Sequence, residues 1–351
     1  MHNWENNIRK VTPYVPGEQP QDVRMIKLNT NENPYPPSPL VAKANANMQT
    51  DNVRPYPDPK VEKLVSAIAK YHGLKDSQVF VGVGSDDVLA MAFMTFFNSN
   101  KPILFPDITY SFYDVWADLF KMPYQTKALD EDFKITKEDY YGDSGGVIFP
   151  NPNAPTGIAM GLDEVEDIIK ANPDVIVIVD EAYVDFGASS ALPLIEKYDN
   201  LLVVQTFSKS RSLAGMRIGY ACGNEKLIKY LNDVKYSFNS YTMNYPSIEL
   251  GVAAIEDESY FREVLAKVIE TREWSKSELA KLGFTFGDSM ANFIFATHKT
   301  CSAKTIYEQL RGEHIYVRYF DKPRIDNHLR ITIGTREEME ALMKLLKRIL
   351  G

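Results

Sequence analysis

Five short, unbroken apolar runs constrain this chain more than anything else in it. They are Gln78-Val-Phe-Val81, Pro102-Ile-Leu-Phe105, Gly146-Val-Ile-Phe149, Val175-Ile-Val-Ile-Val179 and Leu201-Leu-Val-Val204. Each has the length and the β-branched or aromatic content of a strand. A strand with one wet face alternates apolar and polar residues, whereas a strand that is apolar throughout is buried on both faces. Between the runs lie segments with apolar residues at helical spacing: Val61 to Tyr71, Asp86 to Phe97, Tyr110 to Phe120 and Leu162 to Lys170. Alternation of this kind predicts an α/β fold, a mostly parallel sheet with helices on both faces. Such sheets bind ligands in the crevice beyond the carboxyl ends of their strands.

The residues just beyond each run are therefore the first candidates for a site. The run ending at Val179 delivers Asp180-Glu-Ala-Tyr183, and the run ending at Val204 delivers Thr206-Phe-Ser-Lys-Ser-Arg-Ser-Leu-Ala-Gly-Met-Arg217. A lysine amine forms an imine with an aldehyde. A carboxylate keeps a pyridinium nitrogen protonated, and hydroxyls with an arginine hold a phosphate. One carboxylate (Asp180), one phenol (Tyr183), one amine (Lys209) and one guanidinium (Arg217) at neighbouring strand ends match the needs of pyridoxal 5′-phosphate. Read singly, each residue is ordinary: a strand-end Asp is also a turn or helix cap, and most lysines are solvated. Small neighbours around Lys209 (Ser208, Ser210, Ser212, Ala214, Gly215) leave room for a planar ligand. Gly82-Val-Gly84-Ser85-Asp86-Asp87 follows a strand and opens a helix, so its backbone N–H groups suit an anion. Asn151-Pro-Asn-Ala-Pro-Thr-Gly157 is a loop by composition, able to present Asn153 to a ring oxygen. Tyr110, at the start of a helix, can stack on a ring or pack in the core.

The net charge of -8 and a pI near 5.3 argue against a broad nucleic-acid footprint. Cys222 and Cys301 cannot form a disulfide framework, which points to a reducing, cytoplasmic setting. The opening residues lack a signal-peptide pattern, and no apolar run approaches the roughly 18 residues of a membrane helix. No histidine pairs with another His or a Cys at metal-ligand spacing, so no metal is expected.

Ten prolines between residues 13 and 59 predict an extended arm and loops, with a short helix near 39–48. After about residue 245 the texture changes. A long helical stretch over 247–281 leads to strands at 284–286, 292–295, 315–320 and 329–333, and a helix over 337–350 closes the chain. The predicted organisation is an N-terminal arm (1–28), a large sheet domain (29–245) and a smaller α+β domain (246–351). Arg318 and Arg330 fall on the alternating strands of the latter, where planar multi-donor groups suit anion capture.

Taken together, Thr12-Pro-Tyr14, Leu28-Asn-Thr-Asn-Glu-Asn-Pro34, Arg54-Pro-Tyr56-Pro57, Gly84-Ser-Asp86, Asn153-Ala-Pro-Thr-Gly157, Asp180-Glu-Ala-Tyr183, the Lys209 segment and Leu329-Arg-Ile-Thr-Ile-Gly-Thr-Arg336 resemble the fold-type-I pyridoxal-phosphate aminotransferases of class II. Within them, the chain is most similar to the branch that acts on histidinol phosphate. The resemblance runs nearly end to end. It implies that Lys209 is the imine lysine and proton shuttle, that Asp180 pairs with the pyridinium, and that Tyr183 bonds the ring's phenolic oxygen. It places Gly84, Ser85, Asp86, Thr206, Ser208 and Arg217 around the cofactor phosphate, with Tyr110 on the ring. It has Tyr56 reach the site of a second subunit in a homodimer. Tyr14, Asn33, Arg318 and Arg330 would meet the substrate, whether histidinol phosphate or glutamate/2-oxoglutarate. One position departs from the pattern. The family commonly carries Asn directly before Pro-Thr-Gly, where this chain has Ala154. Either Asn153 turns inward instead, or Tyr183 serves the ring oxygen with less help. Cofactor motifs do not separate this activity from an aromatic or aspartate aminotransferase, or a phosphothreonine decarboxylase, on the same scaffold.

Overall fold

The structure is a computed structural model that describes residues 3–15, 17–20 and 25–351; parts of the expected arm thus lie outside the described residues. Its strands are β1 (Ile26–Leu28), β2 (Val79–Gly82), β3 (Ile103–Pro106), β4 (Tyr124–Lys127), β5 (Gly146–Pro150), β6 (Val177–Asp180), β7 (Leu201–Thr206), β8 (Gly219–Gly223), β9 (Phe284–Phe286), β10 (Phe293–His298), β11 (Ile315–Tyr319) and β12 (Leu329–Thr332). Seven form one sheet in the order β2-β8-β7-β6-β5-β3-β4, parallel except that β8 runs antiparallel to both its neighbours. The central strands β5, β6 and β7 are buried at every residue. Alternate side chains feed two separate cores. Val147, Phe149, Val177, Val179 and Val203 pack under helices Glu62–His72, Leu162–Ala171 and Tyr245–Glu256. Ile148, Ile178, Leu202 and Val204 pack under helices Ser85–Phe96, Tyr113–Phe120 and Glu225–Phe238. Burial on both faces is the reason these strands carry no polar residue until they end.

A second sheet, β1-β11-β12-β10-β9, packs with helices Glu258–Lys281, Ala303–Gly312 and Arg336–Leu350 around a third core. Here the structure departs from the sequence expectation. Residues 26–28, read as the end of the arm, are a strand paired in parallel with β11. The long helical stretch is two helices broken at Asp257, whose side chain accepts the Tyr260 N–H and caps the second. The strand β8 and the helix behind it had no clear sequence signal, because Gly219-Tyr-Ala-Cys-Gly223 is flanked by glycines that weaken a strand pattern. Among the described residues, no helix is long and apolar enough to cross a membrane.

Register brings the strand ends together. Pro150 lies opposite Asp180, and Asp180 opposite Val204. Gly219 faces Gly82 on one side and Thr206 on the other. Gly219 also packs against the turn before the helix at Ser85. A Cβ there would lie 2.2 Å from the Ser85 amide nitrogen and 2.3 Å from the Gly84 carbonyl carbon. Both are backbone atoms with no rotamer to yield. Gly219→Ala is therefore expected to cost about 1–3 kcal/mol of stability, read as a lower urea midpoint at unchanged slope. An unchanged midpoint would mean that the turn yields freely.

Candidate active site

Asp180 ends β6 and is only 4% exposed. Its carboxylate accepts the Tyr113 hydroxyl at 2.8 Å and the Ala182 N–H at 3.2 Å. Burial raises its pKa from the usual carboxylate value to about 6; the two hydrogen bonds oppose that rise and Asp86 adds to it. No cation pairs with it among the described residues. Lys209 lies just past the end of β7, where its Nζ donates to the Thr30 carbonyl at 3.3 Å and sits 5.7 Å from the centre of the Tyr183 ring. Asp180 and Lys209 line the same cavity of about 160 Å³, with Thr30, Glu32, Ser85, Asp86, Tyr110, Ala154, Tyr183, Thr206, Ser208 and Arg217 also in its wall.

One end of this cavity is built for an anion. Ser85 is the first residue of its helix, so free N–H groups and the helix dipole point at the space before it. Gly84 holds φ +86°, and a Cβ on it would lie 2.5 Å from the Arg217 guanidinium. Arg217 approaches Ser208 Oγ at 3.3 Å and pairs with Asp86 at 3.3 Å. Tyr110 donates to Asp86 at 2.6 Å. Burial and the Asp86 charge raise the Tyr110 phenol well above its ordinary value, so it remains a neutral donor. It sits in the turn preceding helix Tyr113–Phe120 and not at the helix start, and its ring forms part of the cavity wall.

Two expected contacts fall elsewhere. Asn153 is 1% exposed and committed to the loop. Its amide donates to the Ile108 carbonyl and Thr156 Oγ1, and its oxygen accepts from Thr109. The Ala154 methyl, not Asn153, lines the cavity. Asn33 donates to the carbonyls of Lys209 and Ser210 and accepts from the Tyr35 N–H. It buttresses the lysine loop from behind and is absent from the cavity wall. Tyr56 is 81% exposed and packs against Tyr241 at 4.8 Å, outside this chain's own cavity.

An adjoining space of about 190 Å³ shares Thr30, Tyr110, Ala154, Tyr183 and Lys209 with the first and adds Tyr14, Asn31, Arg318 and Arg330. Arg318 and Arg330 face each other across the β11–β12 register. Like charges directly opposite in a sheet repel, yet among the described residues no carboxylate pairs with either. Arg330 donates to the Asn29 carbonyl at 2.8 Å, and its Nε is buried without a partner. Desolvation and Arg318 pull its pKa below the ordinary arginine value, although the group stays charged. Tyr14 packs against Phe112 with ring centroids 4.2 Å apart and the planes tilted by 31°. A larger concavity of about 1180 Å³ lies at the amino ends of the parallel strands and holds none of these groups. Position at the strand ends, not size, marks the functional crevice.

Sequence reasoning missed Tyr113, Thr30, Asn31 and Glu32. Tyr113 had a local signal, three residues after Tyr110 on the first turn of a helix. The other three meet Lys209 and Tyr183 only through tertiary contact. Pyridoxal phosphate fits this donor set: a buried acid for the ring nitrogen, an amine for the aldehyde, a phenol for the ring oxygen, and an anion cradle of Ser85, Ser208 and Arg217.

The family model for class I and II aminotransferases matches residues 23–346. A histidinol-phosphate aminotransferase of Clostridium botulinum is 52% identical over 99% of this chain and 98% of its own length. One from Lactococcus lactis subsp. cremoris is 50% identical over the same shares. The crystal structure of the Sinorhizobium meliloti histidinol-phosphate aminotransferase in complex with pyridoxal-5′-phosphate superposes with a TM-score of 0.85. Its identity is 22%, covering 92% of this chain and 90% of that one, a likeness of fold alone.

The buried acid sets a pH dependence. Because the folded value of Asp180, about 6, lies above its unfolded value near 3.8, the folded protein favours the protonated acid. That contribution is full below the unfolded value and is lost as pH rises through about 6. Asp180→Asn mimics the protonated form at every pH. In cofactor-free protein its stability relative to wild type should climb as pH rises from 4 to 7, by on the order of 3 kcal/mol at most. Urea titrations across that range check it, and a flat difference would contradict the buried-acid reading.

Proposed function

The chain belongs to the class I and II aminotransferases, and we propose that it exchanges the amino group between L-histidinol phosphate and 2-oxoglutarate, giving imidazole-acetol phosphate and glutamate in histidine biosynthesis. The observation that carries the substrate reading is the cross-register pair Arg318 and Arg330, two guanidiniums with no carboxylate partner among the described residues, beside the reactive lysine. A substrate with a phosphate at one end and an amine at the other would seat its anion between them and bring the amine to Lys209. The carboxylates of glutamate and 2-oxoglutarate would use the same arginines in the second half of the exchange.

Bound pyridoxal 5′-phosphate supplies an aldehyde that carries the amino group and a ring that draws electrons from the substrate α-carbon. Asp180 keeps the ring nitrogen protonated, a role that its own burial favours, since a cation beside it relieves the cost of an isolated charge. Tyr183 donates to the ring oxygen. Ser85, Ser208 and Arg217 hold the phosphate, while Gly84 and Thr206 shape the turns that bring them there. Lys209 Nζ would hold the aldehyde between turnovers and would take the α-proton of the substrate during them. We further infer a cytoplasmic homodimer. Tyr56, exposed beside the exposed Tyr241, would lie in the contact between subunits and reach the partner's phosphate site.

Lys209→Ala is expected to lower turnover by at least about 10²–10⁴-fold and to remove the near-visible absorbance of the imine; wild-type turnover in that variant would refute the assignment. Arg330→Lys should lower kcat/KM for histidinol phosphate by about 10- to 150-fold, the loss of one charge-assisted hydrogen bond, with cofactor affinity unchanged. A panel of histidinol phosphate, phenylalanine, aspartate and phosphothreonine tests the substrate directly. A higher kcat/KM for any of the last three would overturn it.

A further inference from the structure

We propose that Asn31 is a positioning residue that turns the Tyr183 hydroxyl proton into the cofactor cavity, making up for the donor that Ala154 lacks. The hydrogen bonds present run in one direction. The Asn31 N–H donates to Thr332 Oγ1 at 3.1 Å, so the Thr332 hydroxyl has its own proton free, and it gives that proton to Asn31 Oδ1 at 2.9 Å. Asn31 Oδ1 is thereby fixed toward Thr332, and Nδ2 faces Tyr183 at 2.9 Å. An amide nitrogen only donates. The Tyr183 oxygen therefore accepts from Asn31, and its own proton points elsewhere. Among the described residues no protein acceptor takes it, and Tyr183 lines both of the cavities that Lys209 lines. The Phe293 ring, edge-on to Tyr183 at 5.0 Å, keeps the phenol from swinging away.

Asn31 is itself held firmly. It is 1% exposed, and its carbonyl accepts from Asn292 at 3.0 Å. Its φ is 59°, a left-handed conformation that asparagine adopts more readily than most residues. The position thus needs both the backbone tolerance and the amide. Asp and Gly share the tolerance and lack the donor, which makes them the informative substitutions. A carboxylate at 31 would reverse the bond, accepting the Tyr183 proton and withdrawing it from the cavity.

The inference rests on the cofactor reading of the cavity, and pyridoxamine 5′-phosphate separates the two. It binds without forming a bond to Lys209, so calorimetry of cofactor-free protein reports only the noncovalent contacts. Asn31→Asp should weaken pyridoxamine phosphate at least about tenfold and Asn31→Gly about threefold, the range of one hydrogen bond. In a Tyr183→Phe background, Asn31→Gly should add less than about twofold, because its effect runs through the missing hydroxyl. A purely structural role predicts the full, additive loss in that background. Additivity, or Asn31→Asp binding within twofold of wild type, overturns the assignment. If Asn31→Asp does not fold, the Gly cycle decides alone. If wild-type protein fails to bind pyridoxamine phosphate, the cofactor reading falls and this inference with it.

Discussion

The buried carboxyl of Asp180 is the constraint on which the rest of the structure depends. A four-strand parallel core of β3, β5, β6 and β7, buried on both faces, leaves polar groups nowhere to stand except at the strand ends. Asp180 stands there with a phenol and one N–H for support and, among the described residues, no cation beside it, and its raised pKa follows from that burial. A cationic heterocycle is the kind of partner that relieves such a site. The same sheet places Lys209 at the end of the next strand, so the acid and the amine reach one cavity from adjacent strands.

The arginine pair of the smaller sheet obeys the same logic with the sign reversed. Arg318 and Arg330 are brought face to face by the β11–β12 register. The aromatic rings of Phe293 and Phe320 flank them, but no carboxylate neutralises them among the described residues. Two uncompensated sites of opposite charge, one on each sheet, meet around Lys209. A cofactor and an anionic substrate together complete both, which is how stability forgone in the empty protein returns as binding free energy.

Much of this was legible in the chain because the signals are local. Apolar runs gave the strands, and the residue after each run is read directly, so Asp180, Tyr183 and Lys209 come from sequence alone. What sequence could not supply is direction. Asn153 and Asn33 sit in the right loops, yet one amide turns to Ile108 and the other to the Lys209 carbonyl, because buried backbone acceptors must be satisfied before a ligand is served. The break at Asp257 was hidden by continuous helical periodicity on both sides, and strand β8 by its glycines, of which Gly219 is required by close packing against the Ser85 turn.

Ala154 shows how far such an arrangement tolerates loss. A side-chain amide at that position would add a donor at the cavity wall, and a methyl cannot. The fold does not move a neighbouring amide into the gap, since freeing Asn153 would take the partner from the Thr109 hydroxyl and from the carbonyl of the buried Ile108. The cheaper route is to orient a donor already present. Thr332, Asn31 and Tyr183 form a chain in which each hydrogen bond fixes the polarity of the next, and only the last proton remains unspent. Because the chain begins on the smaller sheet and ends at the larger, the donor strength of Tyr183 depends on how the two sheets are held together around the lysine.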